Sequence, residues 1–197
     1  MKCQGQTNCC HKGKGLSVNN VSKDKVPTMR LLGKCAGLGI KGDLLAWIKE
    51  WPEGREQRVV LNGESSSWKP VRSGVPQGSV LGPTLFLIYI NDIDTAVDVT
   101  GSVLEKFADD TKWAMVVESD EDRRIFQQGL DRLMNWSADW QMLFNVEKCH
   151  IIHAGQGNPC HEYTMGDRVL EEVDFEKDVG VHLHKSFRPS MQCAKAA

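Results

Sequence analysis

Asp109 and Asp110 stand side by side in "LEKFADDTKW", residues 104–113, after a short apolar run and before an alternating one. Two adjacent carboxylates repel by roughly 4 kcal/mol at about 4 Å in an effective dielectric near 20. The alternation on either side reads as two strands, with "ADD" as the turn between them. A hard divalent cation against the pair would turn the repulsion into attraction. Mg²⁺ takes oxygen ligands, often one or two carboxylates together with substrate phosphates. Two such ions about 3.5–4 Å apart stabilise the attacking and leaving oxygens of an in-line phosphoryl displacement. A solvent-facing Asp-Asp also arises from turn chemistry alone, so the pair by itself leaves both readings open.

The elements that must position this turn follow from periodicity. Residues 1–22 are rich in Gly, Lys, Asn and Ser with little apolar pattern, and read as a disordered tail; residues 23–197 read as one domain. Leu31, Leu32 and Cys35 suit a short helix that stops near Gly37 and Gly39. Leu44, Leu45 and Ile48 share one face of a second helix, with Trp51 nearby and Pro52 ending it. From Arg55 the period changes to that of a hairpin, turning at Asn62-Gly63 and returning near residues 68–72. The Gly- and Pro-dense loop "SGVPQGSVLGP" leads into a largely buried helix, with Pro83 in its first turn.

In the strands around "ADD", Thr111, Trp113, Met115 and Val117 share one face, and Phe107 reads as core. Ser119 is the expected N-cap of a helix whose Phe126, Leu130, Leu133, Ser137 and Trp140 step by four and three. Short strands follow, turning at Met165-Gly166, and "RPSMQCAKAA" reads as the start of a last helix. This order predicts an α+β domain, with antiparallel strands in one layer and packed helices in another.

Composition narrows the classes. Apolar residues make up 41% and charged residues 25%, as in ordinary soluble domains. The longest apolar stretch, "TLFLIYI", is too short to span a membrane, and the N-terminus lacks the apolar core of a secretory signal. The expected location is cytoplasm or nucleus, without secretion or membrane insertion. The seven cysteines are odd in number and unevenly spaced, and read as thiols. Net charge is −2, but residues 1–72 carry 13 Lys and Arg against 6 Asp and Glu, while the remainder is acidic. The basic half could meet phosphate and the acidic half hold metal; two ordinary solvated surfaces would look the same.

"SGVPQGSVLGPTLFLIYINDI" at 73–93, followed by "FADD" at 107–110, resembles the reverse transcriptases of non-LTR, LINE-type (jockey-like) retrotransposons. "GIKGDLLAWI" and "REQRVVLNG" upstream fit the same pattern, as do "WQMLFNVEKC", "YTMG" and "EKDVGV" downstream. The resemblance implies a polymerase palm, an RNA-directed DNA polymerase activity, Mg²⁺ or Mn²⁺ as cofactor, and an RNA template, a DNA primer and dNTPs as partners. It implies that Asp109 is the principal metal ligand and Asp110 its neighbour. It implies that Gly74, Pro76, Gln77, Gly78 and Ser79 lie beside the template and the incoming nucleotide. Lys148 in "FNVEKC" would face the triphosphate as an electrostatic partner or proton donor. Residues 178–181, "DVGV", resemble the hairpin that grips the primer end. Without the resemblance, Gln77 reads as a loop-capping amide, Lys148 as a solvated strand-end lysine, and "DVGV" as an edge strand.

One part of the pattern is missing. The family carries an upstream block, Asp-Phe-x-Lys-Ala-Phe-Asp before a Val-Pro, and here only "DKVP" at 24–27 matches its end. Six residues before Asp24, where the essential carboxylate belongs, stands Val18. The fingers region upstream and the thumb downstream are likewise expected to be lacking, and would have to come in trans. The expectation is a polymerase fragment without unaided activity.

Three rival readings remain. The first is a non-catalytic nucleic-acid-binding remnant using Arg55, Arg58, Lys69 and Arg72. The second is a zinc module from Cys149, His150, His153, Cys160 and His161, or from Cys9-Cys10-His11. The third is the product of a decayed element with no retained role.

Overall fold

The computed structural model describes residues 13–18, 25–76, 78–155, 158–178 and 181–186. In chain order its strands are β1 (Gly13–Val18), β2 (Glu56–Gln57), β3 (Val60–Leu61), β4 (Glu64–Ser65), β5 (Lys69–Pro70), β6 (Ser102–Phe107), β7 (Asp110–Val116), β8 (Cys149–His153), β9 (Thr164–Met165), β10 (Arg168–Val169), β11 (Glu171–Glu172), β12 (Phe175–Asp178) and β13 (Val181–His184). Its helices are α1 (Thr28–Gly37), α2 (Gly42–Glu50), α3 (Gly82–Ile90), α4 (Ile93–Ala96) and α5 (Asp120–Asp139), with a 3-10 turn at Val146–Lys148. The fold is α+β, as the sequence pattern predicts. It divides into two units: Met1–Asn20, Val97–Met134 and Asn145–Ala197 form one, Val21–Ala96 and Asn135–Phe144 the other.

The first unit is built on a five-stranded sheet in the order β11-β8-β1-β7-β6. β1 lies in the middle, antiparallel to both β7 and β8, and β11 joins the far edge parallel to β8. Alternation sorts the faces. Thr111, Trp113 and Met115 of β7 and Cys149, Ile151 and His153 of β8 are buried with Phe126, Leu130 and Leu133 of α5. Trp113 stacks on Phe126 with ring centroids 4.3 Å apart, and Tyr163 meets Phe126 edge-on at 4.9 Å. Gly129 makes room for this stack: a Cβ there would sit 2.1 Å from the Trp113 ring. The helix opens as a capping box. The Ser119 hydroxyl accepts from the Asp122 N–H at 3.1 Å, and the Asp122 carboxylate accepts from the Ser119 N–H at 2.9 Å. The same Ser119 hydroxyl donates to Asp122 and helps hold its carboxyl below the usual carboxylate range.

Two sequence expectations change here. Gly13–Val18 falls within the stretch read as an unanchored tail, yet it is the central strand. A strand with hydrogen-bonded neighbours on both sides is held by its ladders, so weak apolar pattern and two glycines do not exclude it. Phe107 reads as core but is 62% exposed. It registers with Asp110, on the face opposite Thr111 and Trp113. The helix expected from "RPSMQCAKAA" lies outside the described residues.

The second unit packs α1, α2, α3 and α4. Its core includes Leu31, Leu32, Cys35, Ile48, Leu85, Phe86, Tyr89 and Ile90. Of the apolar face expected on α2, Ile48 is buried while Leu44 is 54% exposed; Trp47 and Trp51 stack on each other at 5.3 Å. Lys34 is enclosed here. Its ammonium donates to Asp92 Oδ1 at 2.5 Å and lies 3.7 Å from the Trp140 ring centroid. Trp136 Nε1 donates to the same Asp92 oxygen at 3.0 Å. Tyr89 donates its hydroxyl proton to the Trp140 carbonyl. Burial pushes the Tyr89 phenol up to about 12, with Arg30 pulling it down and Asp92 up.

Candidate functional site

β6 and β7 pair in register from Ser102↔Met115 to Phe107↔Asp110, leaving Ala108 and Asp109 as the two-residue loop. Ala108 takes φ 53°, a left-handed conformation that an L-residue with a Cβ resists by roughly 1–2 kcal/mol. Strain of this kind gathers at sites whose surroundings over-determine the backbone. The turn presents Asp109 and Asp110, both half-buried, at one end of the sheet.

β1 ends at that same end. Val18 registers with Thr111 on one side and with Cys149 on the other. Thr111 directly follows Asp110, and Cys149 directly follows Lys148, the last residue of the 3-10 turn. Within the first unit, the structure thus brings Asp109, Asp110 and Lys148 to one sheet end, on the strands flanking β1. The central position between them is Val18, where the sequence pattern lacks its carboxylate.

Sequence reasoning missed the charge partner of the pair. Lys112 lies two residues beyond Asp110 on the same face, registers with Glu105, and is half-buried. Burial pulls its ammonium below the usual lysine range, while Glu176, Asp110 and Glu105 act in the opposite sense. Asp110 is thus answered in part by a lysine of its own strand. The period-two spacing of Asp110 and Lys112 is the signal that could have found it. Glu176 of β12 is drawn toward this face as well, with its Oε1 3.9 Å from His150 Nδ1.

The donor set fits a divalent ion only in part. Asp109 and Asp110 supply two carboxylates at a two-residue turn. No cluster of three or more His, Cys, Asp or Glu side chains able to hold a metal ion occurs among the described residues. A two-ion centre needs a bridging carboxylate beyond this pair, and the described residues do not provide one. The zinc reading fails for a related reason. Alternation along β8 buries Cys149 and His153 on the core face and leaves His150 on the other, which splits the cluster. Cys9-Cys10-His11 lies outside the described residues.

The loop residues belong to the second unit. Gly74 is pinned at both ends: its N–H donates to the Val26 carbonyl at 2.9 Å, and its carbonyl accepts from Arg55 Nη2 at 2.8 Å. Arg55 also donates to the Pro52 carbonyl at 2.9 Å, so one guanidinium ties the loop to the base of the preceding hairpin. The Ser79 hydroxyl donates to the Pro76 carbonyl at 2.5 Å and accepts from the Gly82 N–H at 3.0 Å. Gly82 must be glycine for this closure, because a Cβ would sit 2.5 Å from the Pro76 oxygen. Gly78, at φ 76°, is exposed with open space around it, and Val80 is 92% exposed. The closed loop therefore leaves the backbone at Gly78 open to solvent, as close approach by a ligand backbone requires. Gln77 lies outside the described residues. No described helix is long and apolar enough to cross a membrane.

The family profile described as reverse transcriptase (RNA-dependent DNA polymerase) matches residues 24–183. The RNA-directed DNA polymerase from mobile element jockey of Drosophila melanogaster is 31% identical over 147 residues, covering 70% of this chain and 16% of that protein. Its counterpart from Drosophila funebris is 33% identical over 173 residues, covering 83% of this chain and 18% of that protein. The probable RNA-directed DNA polymerase from transposon X-element of Drosophila melanogaster is 34% identical over 108 residues, covering 53% and 12%. The chain thus spans 16% and 18% of the two jockey polymerases it matches. Among solved structures, apo telomerase from Candida tropicalis, truncated from its C-terminal domain, aligns with 81% of this chain and 34% of that chain. The TM-score is 0.46 and the identity 12%.

Proposed function

Since this chain belongs to the reverse transcriptase (RNA-dependent DNA polymerase) family, we propose that it is a palm segment of a mobile-element RNA-directed DNA polymerase that binds nucleic acid but does not polymerise unaided. Enzymes of this family are generally divalent-metal dependent. In the proposed assignment Asp109 and Asp110 are the residues that would hold Mg²⁺ or Mn²⁺, and Lys148 offers positive charge to the phosphates of an incoming deoxynucleotide. Gly74, Pro76, Gln77, Gly78 and Ser79 are assigned to the RNA template and the primed end, with the exposed backbone at Gly78 open to close approach. Further polymerase segments would complete the enzyme.

The observation that carries this reading is the shared sheet end. A two-residue turn bearing two carboxylates and a strand-leading lysine flank the terminus of one central strand. The incomplete donor set is what removes catalysis. Loss of an outer-shell partner alone typically lowers metal affinity or activity about 10–100-fold, and a bridging carboxylate contributes more.

Primer extension on an RNA template with Mg²⁺ or Mn²⁺ is the test. The chain is expected to show no extension; extension that disappears in Asp109→Ala would overturn the proposed inactivity. Val18→Asp is expected to raise Mn²⁺ affinity by about tenfold or more, read by the loss of free-ion electron paramagnetic resonance signal. The gain should vanish when Asp109→Ala is added. A Val18→Asp chain that binds Mn²⁺ no better than the parent would remove Val18 from the site.

A further inference from the structure

The second unit carries a feature that the polymerase reading leaves unused. Residues 55–71 form a two-stranded arm, closed at its base by the Val71 N–H donating to the Arg55 carbonyl at 2.8 Å. Every residue from Glu56 to Pro70 is exposed. An isolated two-stranded hairpin is marginal in water, and this one also exposes Val59, Val60, Leu61 and Trp68.

The arm is also irregular in one place. Gln57 registers with Lys69, while Val60 registers with Ser65. Two residues separate Gln57 from Val60, and three separate Ser65 from Lys69. The Ser66 N–H donates to the Val59 carbonyl at 2.9 Å, so Arg58 alone faces both Ser67 and Trp68. This is a β-bulge in the returning strand, a device that re-aims a side chain and gathers near functional sites. At the bulge the Arg58 guanidinium lies 4.6 Å from the Trp68 ring centroid, over its face, and Trp68 remains 54% exposed. One face of the indole is held by the guanidinium and much of the ring is left to solvent.

The charges nearby favour one kind of occupant. Residues 55–72 hold Arg55, Arg58, Lys69 and Arg72 against Glu56 and Glu64. A cavity of about 730 Å³ at the base of the arm is lined by Arg55, Gln57, Val71 and Arg72 among others. Arg55 is committed to the Pro52 and Gly74 carbonyls, which ties the arm to the start of the exposed loop. Exposed aromatic rings interleaved with cations are the means by which proteins hold unpaired bases and the phosphates between them.

We infer that this arm is a stacking platform for single-stranded nucleic acid, in which Trp68, backed by Arg58, receives one base and Lys69 and Arg72 meet the adjoining phosphates. The inference deepens the nucleic-acid part of the proposed function and does not depend on catalysis. A protein partner would instead use the apolar tip at Val60 and Leu61, and it makes the opposite forecast below.

The test is fluorescence anisotropy of a labelled oligouridine with the full chain over a series of salt concentrations. Trp68→Ala is expected to weaken binding about tenfold with an unchanged salt slope, and Trp68→Phe to recover most of the loss. Lys69→Ala and Arg72→Ala are each expected to reduce the slope of log affinity against log salt by about 0.7. An RNA duplex of equal length should be insensitive to Trp68→Ala, because its bases are already stacked. Unchanged oligouridine binding by Trp68→Ala would overturn the platform and leave the wider nucleic-acid reading standing. No oligouridine binding by the parent chain would overturn both. Self-association that Leu61→Asp abolishes, with oligouridine binding indifferent to Trp68→Ala, would assign the arm to a protein partner and overturn the inference. Circular dichroism of each variant guards against loss of fold.

Discussion

Two antiparallel hairpins in this chain differ in what lies beneath them. β6–β7 has one face packed against α5, with Trp113 fully buried on Phe126, and offers its tip and other face to charge. The arm at residues 55–71 has both faces in solvent and a half-exposed tryptophan under the Arg58 guanidinium. The first hairpin is a mount: packing fixes its turn so that two carboxylates can stand together. The second stands out from its unit with no face packed beneath it. Local sequence makes a hairpin, and what packs beneath it decides which kind of work it can do.

The sharpest way to break this contrast is to remove one indole from each. Trp113→Ala is expected to lower global stability by about 3–5 kcal/mol, since it empties the stack on Phe126. Trp68→Ala is expected to stay within about 0.5 kcal/mol of the parent. Urea denaturation followed by circular dichroism measures both, and comparable losses would mean that the arm is anchored after all. Gly129→Ala sharpens the same point from below. The added Cβ would press on the Trp113 ring, and overpacking typically costs about 1–3 kcal/mol. Relief of the helix glycine returns about 1 kcal/mol, leaving a smaller net loss.

Alkaline pH should act on the packed cores of both units and leave the arm, which holds no tyrosine, indifferent. The chain's two tyrosines are Tyr89 and Tyr163, and burial pushes each phenol up to about 12. An unfolded tyrosine titrates near pH 10. Between about 10 and 12 the unfolded chain gives up protons that the folded chain keeps, so stability is full below 10 and falls as pH rises toward 12. The slope approaches about 1.4 kcal/mol per pH unit for each tyrosine. Tyr163 meets Phe126, the ring on which Trp113 stacks, so Tyr163→Phe is expected to halve the slope in denaturation series from about pH 10 to 12. A slope that does not change would place the alkaline sensitivity elsewhere.

How far the sequence discloses these regions follows from how local the physics is. Asn62-Gly63 announces the arm because both residues take positive φ, 51° and 86°, and Asn-Gly is the pair that tolerates this. The buried alternation Thr111, Trp113, Met115 and Val117 is legible because one packed face imposes period two. The capping box at Ser119 is legible for the same local reason. Gly13–Val18 is not legible, because its place depends on ladders to strands far along the chain, at Asp110–Val116 and Cys149–His153, and not on its own side chains. The exposure of Phe107 follows from strand register, which the apolar count of a window cannot see. At the candidate site, the motif identifies Asp109 and Asp110, but Lys112 becomes visible as their companion only when the face is known. The arm's bulge is hidden too, since it exists only as a mismatch between two pairings.

The smallest expected effect compares the two turns themselves. Ala108 holds φ 53° at the charged tip, and Gly63 holds φ 86° at the tip of the arm. Ala108→Gly would release roughly 1–2 kcal/mol of left-handed strain and give back about 0.5–1 kcal/mol through the freer unfolded chain, for a net gain of about 0.5–1 kcal/mol. Gly63→Ala introduces a comparable strain, but a hairpin with no packed face can fray at its tip without unfolding anything else. Its global stability is therefore expected to be unchanged, while amide exchange along residues 59–66 accelerates. The informative measurement is Mn²⁺ binding by the Ala108→Gly chain. A gain in stability with weaker binding would show that the strained turn holds Asp109 and Asp110 in place for the ion. A gain in stability with binding unchanged would show that the sheet and α5 alone fix the pair, and that the alanine is merely tolerated.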